Sequence, residues 1–90
     1  MLSVDSPELY ELLGECAVLR GQRKFFEAIE LVEPRLAEMG QAAQETALLQ
    51  LIYAATEGGF DDRRLEFARE LAKLNPEIPT VKKVLSETQK

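Results

Sequence analysis

The stretch PELYELLGECAVLRGQRKFFEAIELV, residues 7–32, decides the fold. Its apolar residues return at Leu9, Leu12, Leu13, Cys16 and Leu19, stop at Gly21, and resume at Phe25, Ala28, Ile29 and Val32. Steps of three and four are the period of a helix with one buried face, and a glycine between two such runs marks a turn. The stretch reads as helix, turn, helix, with the second helix folded back on the first. Gly14 stands seven residues before Gly21; on this reading it is the small residue that lets helix two approach helix one. A less regular version of the layout runs from Thr46 to Leu74.

Ser6-Pro7-Glu8 opens helix one. Serine caps a backbone N–H, proline fits the first turn, and the acid complements the positive end of the helix dipole. The helix is expected over residues 7–20, with Gly21 as a left-handed stop. Helix two is expected over residues 23–39, kinked at Pro34, because Ile29, Val32, Leu36 and Met39 keep one helical phase through the proline. Helix three should cover residues 42–57, burying Ala47, Leu48, Leu51, Ile52 and Ala55, and end at Gly58-Gly59. Asp61 or Asp62 then caps a fourth helix carrying Leu65, Ala68, Leu71, Ala72 and Leu74, which Asn75-Pro76 terminates. Pro79 opens a last helix. No stretch alternates apolar and polar residues long enough to form a strand, so the chain is all-α. It is a single domain with one hairpin at about residues 6–40, a second at 41–75 and a terminal helix at 79–89.

Leu13-Gly14, Ala17, Gly21, Phe25, Ala28, Val32 and Leu36 resemble the tetratricopeptide-repeat (TPR) pattern, and Tyr10 stands where that pattern prefers a large aromatic residue. Two departures are visible. Phe25 and Ala28 follow the turn glycine two residues late, and the second unit has Leu51-Ile52 or Ile52-Tyr53 in place of Leu-Gly. The resemblance implies a right-handed array of about five helices in antiparallel hairpins, with a concave protein-binding face on helices one and three. In length and acidity the chain is also similar to TPR-like bacterial type III secretion chaperones.

Composition narrows the function further. The hydrophobic share is 46% and the charged share 30%, as in a soluble globular domain. Sixteen acidic residues outweigh eleven basic ones, for a net charge of −5, which argues against nucleic acid and anionic membrane as partners. Arg20-Arg23-Lys24 and Arg63-Arg64-Arg69 are each flanked by acids and read as solvated helix faces. No apolar run is long enough to span a membrane, and residues 1–5 do not read as a secretory signal, so a cytoplasmic setting is expected. The lone Cys16 lies on the apolar stripe and reads as a small buried hydrophobe.

Histidine is absent, which removes the usual general base and the commonest metal ligand. Gly58-Gly59 has no following Lys-Ser or Lys-Thr to make a phosphate loop. Asp61-Asp62 with Glu57 lacks the alternating oxygen ligands of a calcium loop. No catalysis, cofactor or metal is expected. The expected activity is protein binding, as a small adaptor or chaperone holding an amphipathic helix or extended segment of a partner protein; the alternative is a structural subunit that pairs with its own copy. The candidate contact residues are Tyr10, Glu11 and Glu15 on helix one, Gln44, Gln50, Tyr53 and Ala54 on helix three, and Phe26.

Overall fold

Two tight turns of the same kind organise the chain. In a computed structural model, which describes residues 2–88, the elements are α1 (Pro7–Gly21), α2 (Phe25–Val32), a 3-10 segment (Glu33–Glu38), α3 (Gln41–Gly58), α4 (Asp61–Leu74) and α5 (Pro79–Thr88). Among the described residues the only extended pairing is an isolated bridge between Leu2 and Met39, so the fold is all-α. Residue 89, expected in the last helix, lies outside the described residues.

Gly21 does not stop α1. It stays helical, and Arg23 takes the left-handed conformation instead, with φ 64°. The Lys24 N–H then donates to the Leu19 carbonyl at 2.8 Å and the Arg23 N–H to that of Arg20 at 3.0 Å. This pair of bonds satisfies the last carbonyls of the helix as a Schellman turn. After α3 the same two bonds recur, from Phe60 to Ala55 and from Gly59 to Thr56, around Gly59 at φ 74°. Here the left-handed residue is the glycine such a turn prefers.

Other local expectations are corrected. The Ser6 side chain makes no capping bond. Asp61 and Asp62 lie inside the first turn of α4, after Phe60, where their charge faces the positive end of the dipole without capping it. The expected kinked helix over 23–39 is a short α2 followed by the 3-10 segment. Pro34 cannot donate to Glu30, and the chain tightens into the i→i+3 pattern in place of bending. The phase of the pattern still survives: Val32 and Met39 are buried and Leu36 packs against the core. Past Glu38 the backbone is extended, and Leu2 bonds it on both sides, its N–H donating to Glu38 and its carbonyl accepting from Gly40.

Gly14 is the largest departure. A Cβ placed there would meet nothing within 4 Å, so its lack of a side chain brings no helix close. The position lies on the outward side of α1. By contrast a Cβ at Gly58 would lie 2.9 Å from Phe25 Cβ and 2.8 Å from the Phe60 ring; this glycine allows the two turns to pack together.

α3 is the hub of the core. Ala43, Ala47, Leu48, Leu51, Ile52, Ala54 and Ala55 are all buried along it, and it packs against α1, α2, the 3-10 segment and α4. α4 contributes Phe67, Ala68 and Leu71, and α5, which packs chiefly on α4, adds Val81 and Val84. α1 rests on α2 and α3 through Leu9, Leu12 and Cys16.

Candidate functional site

Apart from Gln44 and Ala54, the candidate contact residues fall in three separate places. Gln50 and Tyr53 lie at the junction of α1 and α3, where Arg20 engages both. The Arg20 guanidinium donates to the two carboxylate oxygens of Glu57 at 2.8 and 2.9 Å, and to Gln50 Oε1 at 2.7 Å. It also lies 5.3 Å from the centre of the Tyr53 ring. Those bonds hold the Glu57 carboxyl below the usual carboxylate range. The arrangement is a planar fork matched to a carboxylate and backed by an aromatic face, which arginine can supply and lysine cannot. Its effect is to fix α1 against α3. Gln50 is occupied by this clasp, and Tyr53, 37% exposed, has one face taken by it.

Two further arginines, which the sequence pattern presents as solvated, also bridge elements, each through one guanidinium nitrogen and one carboxylate oxygen. Arg63 on α4 pairs with Glu33 of the 3-10 segment and stacks over buried Phe67 at 5.0 Å. Arg64 pairs with Glu87 of α5 and holds that carboxyl below its usual range. The arginines that bridge elements stand in phase with the apolar residues of their helices: Arg20 follows Leu9, Leu13 and Cys16, and Arg64 precedes Ala68 and Leu71. That phase is the sequence signal for a partly buried, paired arginine. Glu57, Phe60 and Phe67 are the other functional neighbours absent from the contact candidates above.

Phe26 lies at the turn end of the fold. It is 58% exposed and meets Phe60 edge to face, with ring centres 6.3 Å apart. Its neighbour Phe25 is the half-buried one, as adjacent helical positions require. Ala54 is fully buried and contacts no solvent. Gln44 is withdrawn too: its amide donates to the carbonyls of Leu36 and Met39 and closes the 3-10 segment.

Tyr10 and Glu11 occupy the third place, the outward side of α1. Tyr10 is 79% exposed and Val18 58%. With exposed Gly14, Ala17 and Gly21 they form a band without a charged residue. Beside it is an apolar hollow of about 480 Å³ lined by Gly14, Glu15, Val18 and Leu19. Glu11 and Glu15 border the band and are exposed.

Among the described residues, no helix is long and apolar enough to cross a membrane, and no group of three His, Cys, Asp or Glu could hold a metal ion. Cys16 is buried, and burial pushes its thiol up from the ordinary range. No protein-family model matches the chain, and neither a curated protein nor a solved structure matches it.

Proposed function

We propose that this chain is a protein-interaction module that takes up an amphipathic helix along the outward band of α1. The observation that carries the reading is that band itself. Tyr10, Gly14, Ala17, Val18 and Gly21 are exposed and uncharged in a chain where three residues in ten are charged. Bulky Tyr10 and Val18 supply the apolar contact that anchors a helix, and the small residues admit close approach of its backbone. The clasp around Arg20 supports the reading because it sets α1 firmly on α3, so the band is rigid before binding and little ordering entropy is lost. On the same reading the two turns around Arg23 and Gly59 belong to a right-handed, TPR-like array, and the bound helix extends it by one element. The role is that of an adaptor or chaperone, and catalysis has no part in it.

Affinity capture from the native cell, repeated with Gly14→Glu and Tyr10→Ala, tests the proposal. Both variants should lose what the parent retains while their circular dichroism stays helical. Retention of the same proteins by both variants, with loss in Phe26→Ala, would place binding at the turn end and sink the reading.

A further inference from the structure

The geometry points to a second copy of this chain as the occupant of that band, with the two α1 helices antiparallel about a two-fold axis between Gly14 and Ala17. This rests on the interaction-module reading and names its partner. Tyr10, Gly14, Ala17 and Gly21 recur at steps of four, three and four, the spacing of a two-helix seam. About the midpoint of Gly14 and Ala17 the seam maps onto itself: Gly14 meets Ala17 of the second copy, and Tyr10 meets Gly21 of the second copy. Each large side chain therefore faces a position with none, as an isologous contact demands. With Gly and Ala at the centre the axes can approach to the lower end of the usual ~8–10 Å.

Charge selects the antiparallel sense. Asp5 and Glu11 are exposed at the N-terminal end of α1, and Arg23 and Lys24 are exposed in the turn that follows it. Among the described residues none of the four belongs to an ion pair; the bridging arginines are Arg20, Arg63 and Arg64. Antiparallel pairing brings the acidic end of each α1 beside the basic turn of the other, whereas parallel pairing would set like charges together. The opposed helix dipoles favour the same sense.

Sedimentation equilibrium of the full chain tests the inference. The parent should show a concentration-dependent monomer–dimer equilibrium that weakens as salt rises. Gly14→Glu should be a folded monomer, since a Cβ at that position meets nothing within 4 Å beyond its own turn of helix, and Ala17→Glu should repeat the result. Lys24→Glu and Glu11→Lys should each weaken pairing roughly tenfold, because each contact occurs twice, and the double variant should recover it. A parent that stays monomeric overturns the inference. If Gly14→Glu then still abolishes capture of some other helical protein, the interaction-module reading survives without the second copy. A dimer that Gly14→Glu leaves intact overturns the inference and takes the band out of use. A double variant no tighter than the single ones overturns the antiparallel pairing.

Discussion

A methyl group added at Gly14 meets open space, while one added at Gly58 collides with Phe25 and Phe60. Both glycines are helical, so propensity alone makes alanine the better residue at each, by about 0.5–1 kcal/mol. Gly14→Ala is therefore expected to gain up to that amount. Gly58→Ala is expected to lose about 1–3 kcal/mol through overpacking against the Phe25 Cβ, which cannot swing aside. Denaturant unfolding at low protein concentration, where self-association does not contribute, measures both; equal signs would contradict the packing described. Arg23 offers the complementary case. A left-handed side-chain-bearing residue costs about 1–2 kcal/mol, and glycine there loses part of that gain to its freer unfolded chain. Arg23→Gly should therefore raise stability, by up to about 1 kcal/mol. The spacing of Gly14 and Gly21 could not distinguish these cases, because a glycine facing water and one at a helix crossing share the same heptad interval. The backbone bonds that end a helix are equally silent in sequence, so a left-handed arginine was not legible where a glycine stood two residues away.

At the scale of elements the apolar period carried most of the information. Leu9, Leu12 and Cys16 on α1, and Leu48, Leu51, Ile52 and Ala55 on α3, are buried where steps of three and four put them. Asn75 is extended before Pro76 as the proline requires. The switch to a 3-10 segment at Pro34 was hidden because that geometry preserves the burial of Val32 and Met39. The interhelix clasps were hidden for a different reason: pairing of Arg20 with Glu57 depends on how α1 lies across α3, which no local pattern states. These clasps predict an acid response. The Glu57 and Glu87 carboxyls are held below the ordinary glutamate value of about 4.3, so the unfolded chain binds protons more readily than the folded one near that pH. Their stabilisation is complete above that value and is lost as pH falls through the lower folded values. With no histidine in the chain, unfolding midpoints should change little from pH 5.5 to 7 and fall below about pH 4. The double variant Glu57→Gln/Glu87→Gln should be less stable at neutral pH and show a shallower acid limb; an unchanged limb would mean the clasps are broken in solution.

Across the whole molecule, packing is uneven. α3 touches four other elements, whereas α5 packs chiefly on α4 and is tied there by Arg64 and Glu87. Local opening follows such differences in contact. Hydrogen exchange should be slowest in α3 and fastest among the helices in α5, and uniform protection would refute this ordering. Leu51→Ala, at the centre of α3, should cost about 2–5 kcal/mol, enough to unfold much of a small domain's population. Cys16 gives this uneven landscape a built-in clock. Its sulfur is sealed under α1 and its thiol is pushed toward the unreactive protonated form, so an alkylating reagent can reach it only when the domain opens. The rate of labelling in a crude extract, divided by that of the denatured chain, therefore reads the population of open molecules directly, without purification, a dye or an introduced tag.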